Sequence, residues 1–210
     1  MAFDAQQTEA RMQLELDHIV MATSNLERGV TDIDLPWLPG GVHVDFGTHN
    51  RLLSLGASDY LELIAVNPDA PSLGKTRWYD MDRFEGSTRL QNWVLRTDDL
   101  DRALDRFGPS FGGVHHLSRG DLRWRMAVPA SGVLPFDNCA PALIQWDTPP
   151  PMPALTDQGH RLTELIVSHP EAADLAALIG DLRDDRVRFE VGPAHLSATL
   201  NGPGGAVVLP

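Results

Sequence analysis

Cysteine is almost missing from this chain. Cys139 stands alone, so no disulfide can close within it, which fits a reducing compartment. Positive charge is also scarce: 17 basic against 29 acidic side chains give a net charge of −12, the wrong sign for gripping nucleic-acid phosphates or anionic lipid. No apolar run approaches the roughly 20 residues that span a bilayer. The opening residues, MAFDAQQTEARMQ, lack the basic start and apolar stretch of a signal peptide, so residues 1–13 read as a loose tail on a cytoplasmic protein. No GxGxxG or GxxxxGKS phosphate cradle occurs. Ser24, Ser54 and Ser131 lack the strained Gly-flanked turn of an esterase nucleophile. Cys139 has no basic neighbour in sequence to activate its thiol and reads as a filler.

What is present is one layout used three times: an apolar strand with a polar residue in its middle, a capped turn, and a short amphipathic helix. The copies are LDHIVMATSNLERGVTDI from Leu16, LQNWVLRTDDLDRALDRF from Leu90 and RLTELIVSHPEAADLAALIGDL from Arg161. In the first, apolar residues fill both faces of residues 14–22, so that strand is buried on both sides. Ser24 with Glu27 has the form of a capping box, and Leu26, Val30 and Ile33 recur at helical spacing. Pro36, Pro39, Gly40 and Gly41 stop the helix. VHVDFG, NRLLSLG and YLELIAV follow as strands. In the second unit Asp98 or Asp99 caps the helix, and GVHHLSR, LRWRMAV and APALIQW are the strands. The proline-rich stretch DTPPPMPALTDQG, residues 147–159, is an extended connector. The third unit, with VRFEV, HLSATLN and AVVLP after its helix, reads as one strand short. The expected fold class is α+β, with tandem βαβββ modules forming a curled mixed sheet around a cleft and a third, partial module. The modules span about 14–70, 90–147 and 160–210.

LDHIVMATSNLE, the GTHNRLLSLG segment from Gly47 to Gly56, YLELIAVNP and the late PALIQW, in that order and separation, resemble the glyoxalase-like domain family of the vicinal oxygen chelate superfamily. The resemblance covers about residues 14–210. It implies two units folded into a cup that holds a divalent metal.

His18 shares a strand face with Leu16 and Val20, and Tyr60, Glu62 and Ile64 share another. With Ile19, Met21, Leu61 and Leu63 packed on the helix, His18 and Glu62 both point into the cup, a donor set suited to zinc, iron or manganese. These two match the superfamily's first-unit metal ligands; the alternative is a buried pair that merely holds the sheet together. The second unit departs from the pattern. Aligning QNWVLRTDDL with LDHIVMATSNL sets Trp93 against His18, and an indole donates a hydrogen bond but ligates no metal. Trp93 and Tyr60 are then walls for a ligand. Glu164, at the corresponding point of the third unit, is a conditional ligand with a catalytic role, and Gln145 is the other candidate through its amide oxygen, contacting metal or substrate. His49 and Asn50 form a further polar pair. From the family's GTxN-type segment, which faces its pocket, His49 is expected as general acid or base and Asn50 as a substrate contact. His115 and His116 face opposite sides of a strand, and His43 and His195 lack a convincing partner.

The first functional reading is a metal-dependent enzyme acting on a small oxygen-bearing organic molecule, of the lyase, isomerase or dioxygenase class. The metal would act as a Lewis acid on vicinal oxygens. The second is a metal-free binding or sequestering protein of the bleomycin-resistance type, with Trp93, Trp124, Trp146 and Tyr60 as aromatic walls. Either takes a small-molecule partner, and neither nucleic acid nor membrane. Superfamily members often share sheets between chains, so a homodimer is expected.

Overall fold

The structure is a computed structural model that describes residues 12–180 and 182–210. Most of the expected tail, residues 1–11, lies outside the described residues. The first unit comprises β1 (Leu14–Ala22), α1 (Leu26–Asp32), β2 (Leu38–His43), β3 (Thr48–Ser54) and β4 (Tyr60–Val66). The second comprises β5 (Arg89–Thr97), α2 (Leu100–Phe107), β6 (Gly113–Arg119), β7 (Leu122–Val128) and β8 (Ala142–Trp146). The third comprises β9 (Arg161–Ser168), α3 (Ala172–Ile179), β10 (Val187–Glu190), β11 (His195–Gly202) and β12 (Gly205–Leu209). Among the described residues no helix is long and apolar enough to cross a membrane.

Units one and two form a single eight-stranded sheet in the order β2-β3-β4-β1-β5-β8-β7-β6. Reading outward from the antiparallel β1–β5 seam, both halves run first, fourth, third and second strand, and in both the first and fourth strands pair in parallel. The helix starts repeat as closely. Asn25 accepts a hydrogen bond from the Arg28 N–H and Asp99 from that of Arg102, satisfying one orphan donor of each first turn. The Thr23 hydroxyl donates to the carbonyl of Asn25, and that of Thr97 to the carbonyl of Asp99. The cap of α1 is therefore Asn25, one residue after the expected Ser24, because Asn25 is the residue with extended backbone before the first turn.

The sheet curls until its two edge strands, β2 and β6, touch. The cleft thus lies between the first and second units. The third unit has the first strand and the three after its helix that the sequence marks, a full set of four and not one short, and is partial only in its wiring. Its first strand lies inside a separate sheet, ordered β10-β9-β11-β12, instead of at the seam of a half-cup. It packs on the outer face of the large sheet: Trp93 meets Phe189 with ring centroids 6.1 Å apart, and Arg186 Nη1 bonds buried Asp59 at 2.8 Å. Leu95, Leu165, Val167 and Leu200, all fully buried, belong to one continuous apolar core shared by both sheets.

Candidate functional site

The hollow of the cup opens onto the inner face of the large sheet, and period-two alternation decides what reaches it. On β4, Tyr60 and Glu62 face inward; on β3, Thr48 and Asn50; on β8, Ile144 and Trp146. The second unit closes the far side with Trp124 and Met126, and Trp78 and Tyr79 come from a turn between the units. The centre of a water-sized sphere can move through about 30 Å³ of the interior, so a guest that reaches the floor fits closely against its lining.

Asp17 and His18 are neighbours on a strand, yet their side chains meet. The β1–β5 register passes from Leu16 opposite Leu95 to His18 opposite Val94, leaving Asp17 as the extra residue of a bulge. A bulge re-aims side chains. The fully buried Asp17 carboxylate lies 2.7 Å from His18 Nδ1 and accepts from Trp146 Nε1 at 2.9 Å. The Tyr60 ring stacks on the imidazole at 4.5 Å. On the other side, His18 Nε2 is 3.6 Å from Glu62 Oε2, an ion-pair separation. Burial alone would depress the His18 pKa, but the Asp17 and Glu62 carboxylates outweigh it and hold the imidazolium up to about 9. Glu62 responds in the opposite sense. Burial favours its neutral form, yet His18, His43 and the Asn50 amide keep it ionised, with a pKa down to about 2.

Asn50 organises the rest. Its Oδ1 accepts from the Gly41 N–H at 2.7 Å, which fixes the amide so that Nδ2 donates to Glu62 Oε1 at 2.6 Å. His43 Nε2 faces two donors, Arg119 Nη1 at 3.2 Å and Asn50 Nδ2 at 3.5 Å, so it is the acceptor and the ring proton sits on Nδ1, 3.0 Å from Thr48 Oγ1. Burial, together with nearby Arg119 and His18, keeps His43 neutral against the pull of Glu62, with a pKa lowered to about 4. Gly40 and Gly41 lie within β2 and do not form the expected break. A Cβ on Gly40 would stand 2.1 Å from Asn50 Oδ1, and one on Gly41 would stand 2.7 Å from Arg119 Cδ.

Of the residues anticipated from sequence, His18, Asn50, Tyr60, Glu62, Trp124 and Trp146 converge here. His49, Trp93, Gln145 and Glu164 do not. His49 alternates to the outer face because Asn50 faces inward, and burial beside Arg51 lowers its pKa there. Trp93 pairs with Ile19, also on the outer face, and donates to the Cys139 carbonyl at 2.8 Å. Gln145 accepts from the Leu100 N–H at 2.8 Å, at the start of α2 and away from the hollow. Glu164 belongs to the other sheet, where Arg188 lies 3.3 Å away. Asp17, His43 and Arg119 were not anticipated. The bulge that turns Asp17 inward leaves no mark in the sequence, and His43 and Arg119 meet only because the two sheet edges do.

The metal centre implied by the resemblance is not matched by these donors. Among the described residues no group of three or more His, Cys, Asp or Glu side chains is arranged to hold a metal ion. Counting back equally from the caps Asn25 and Asp99, the counterpart of His18 is Asn92, not Trp93. Asn92 is spent on backbone, donating to the carbonyls of Asn138 and Ala140 and accepting from the Ala142 N–H. Glu62 lies opposite Val20 across the parallel pair, and the matching position opposite Val94 is Ala142, which has no donor. The second-unit wall is otherwise Trp, Met and Ile, and its one cation, Arg119, occupies the space beside His43.

The profile of the glyoxalase-like domain family matches residues 16–182. No curated protein matches the chain. Among solved structures, a hypothetical protein from Staphylococcus aureus is similar at 18% identity and a TM-score of 0.57, over 79% of this chain and 73% of that one. The methylmalonyl-CoA epimerase of Mycobacterium tuberculosis overlaps at 19% identity, over 67% of this chain and 91% of that one, with a TM-score of 0.37. Its Streptomyces coelicolor counterpart, in complex with 2-nitronate-propionyl-CoA, overlaps at 16% identity, over 63% and 97%, with a TM-score of 0.39. The first likeness supports the fold; the epimerase overlaps are too loose to carry an argument. With its two repeated βαβββ units and a profile match over most of its length, the chain belongs to the glyoxalase-like domain family.

Proposed function

We propose that the chain binds a small oxygen-bearing organic molecule in the cup and moves a proton on it without a metal, as an isomerase or lyase. The observation that carries this is the inward-facing His18, backed by Asp17 and opposed by Glu62, at the floor of a hollow walled by Tyr60, Trp124 and Trp146. An imidazolium aimed at a substrate oxygen stabilises the negative charge that develops when an adjacent C–H is deprotonated. Glu62 is the carboxylate placed to take that proton, and Asn50 fixes its orientation. Preorganised donors of this kind, each worth roughly 10²–10³ in rate, supply the electrostatic help that a Lewis acid gives elsewhere.

The aromatic lining also favours a second reading, a binding protein without chemistry, since stacked rings hold a planar guest well. One experiment separates the readings. Chelator-treated protein is incubated in D2O with small carbonyl compounds, and loss of the α-proton signal is followed by NMR. Exchange that survives chelation and disappears in Glu62→Gln supports the enzyme. Binding without exchange supports the sequestering protein, and exchange restored only by added zinc, iron or manganese overturns the metal-free proposal in favour of the metal-dependent one.

A further inference from the structure

Arg119 ends β6 at the open edge of the sheet and crosses the gap to the opposite edge. The crossing is built into both strands: Gly41 has no side chain where a Cβ would meet Arg119 Cδ at 2.7 Å, so the guanidinium passes over β2 into the polar floor. Most arginines of this acidic chain are neutralised on the spot. Arg51, Arg77, Arg96, Arg125, Arg161 and Arg186 each meet a carboxylate within 4.0 Å. Arg119 does not. Among the described residues its bonds are two, both from Nη1, to neutral His43 Nε2 at 3.2 Å and to Asn50 Oδ1 at 3.4 Å, and its Nη2 and Nε edge donates to no protein acceptor. In the same wall the Trp78 Nε1 is buried without a partner, a second donor left open.

A half-buried guanidinium without a counter-ion, in a wall that also holds an unpaired indole N–H, is a site short of one negative charge and of acceptors. We infer that Arg119 anchors the carboxylate of a small 2-oxo or 2-hydroxy acid, whose adjacent oxygen then faces His18. The planar fork of an arginine matches a carboxylate edge-on with two parallel hydrogen bonds. A phosphate is disfavoured, since its second charge would face the Glu62 and Asp17 carboxylates of the floor. Glu62 lies 3.6 Å from the His18 Nε2 and 3.9 Å from the Nε2 of neutral His43, to which Arg119 Nη1 donates, so an acid held between Arg119 and His18 lies against the carboxylate that is proposed to take its proton. The inference rests on the reading of the cup as a small-molecule site and specifies its substrate class.

The test is calorimetric titration of the full chain with pyruvate and lactate against their neutral amides, pyruvamide and lactamide. The acids are expected to bind at least about tenfold more tightly than the amides, the difference made by one charge-assisted pair. Arg119→Gln is expected to abolish that preference while leaving amide binding in place. Acids and amides binding equally to the wild-type protein overturn the carboxylate assignment and leave the cup as a binding site. A preference that persists in Arg119→Gln overturns the role of this arginine. Binding of neither class overturns both this inference and the small-molecule reading. Should Arg119→Gln fail to fold, the comparison of acid with amide on the wild-type protein decides the substrate class.

Discussion

Replacing Glu62 by glutamine keeps the shape of the side chain and an acceptor for Asn50, and removes only the charge that faces His18. His18 titrates at about 9 when folded against 6.5 in an ordinary setting. At about 1.4 kcal/mol per unit, its protonated form therefore contributes on the order of 3 kcal/mol, shared between Asp17 and Glu62. A raised histidine pKa gives stability that is fully present below 6.5 and lost as the pH climbs through about 9. For Glu62, depressed from 4.5 to about 2, the contribution is present above 4.5 and lost as the pH falls through about 2. Near pH 6 both are in force, and Glu62→Gln should cost about 2 kcal/mol, roughly 4–8 °C in Tm for a chain of this length. Near pH 10 the wild-type imidazole has already lost its proton, so the gap should shrink to about 1 kcal/mol or less, the worth of one hydrogen bond to a charged acceptor. Urea unfolding of both proteins at the two pH values measures the difference. An equal loss at both would mean that Glu62 does not hold His18 as a cation, and the electrostatic account of the floor would fail.

Gly40→Ala would push a Cβ to 2.1 Å from Asn50 Oδ1 and 2.2 Å from the Asn50 carbonyl oxygen. A loss of about 1–3 kcal/mol in urea unfolding is expected from that overpacking, and unchanged stability would contradict the close approach. His49→Ala, on the outer face, should change stability by less than about 0.5 kcal/mol and leave ligand binding in the cup unaltered in calorimetry. Weakened binding would return His49 to the site. The folded His43 pKa, about 4 against 6.5, makes its neutral form a source of stability that is present above 6.5 and lost as the pH falls through about 4. His43→Gln should therefore flatten the acid limb of the stability curve, and an unchanged limb would mean that His43 is not held neutral.

How much of this was legible in the sequence follows from the range of each signal. Strand alternation and helix caps are local, so β4, β6 and β7 begin and end where the pattern sets them, and the inward turn of His18 and Glu62 follows from which neighbours pack on α1. The same alternation, applied strictly, sends His49 outward once Asn50 faces in; adjacent strand residues do not share a pocket. Trp93 misses by one position, because an alignment shifted by one residue in a strand exchanges the faces, and Gln145 misses because its neighbours Ile144 and Trp146 take the inner face of β8. Glu164 fell to topology: its unit repeats the element order of the others, but its first strand is threaded between β10 and β11 and never reaches the seam. Asp17 depends on a bulge, and Arg119 on the meeting of strands far apart in sequence. Neither is encoded in a local period.

The central claim is that protein cations, rather than a metal, face the substrate oxygen. The most direct measurement is the ¹⁵N spectrum of the His18 imidazole across pH, recorded on chelator-treated protein and again with one equivalent of zinc. Both ring nitrogens should carry protons at neutral pH, with a midpoint at about 9 that zinc does not move. A midpoint near the ordinary 6.5, or an Nε2 resonance displaced by zinc, would contradict the account.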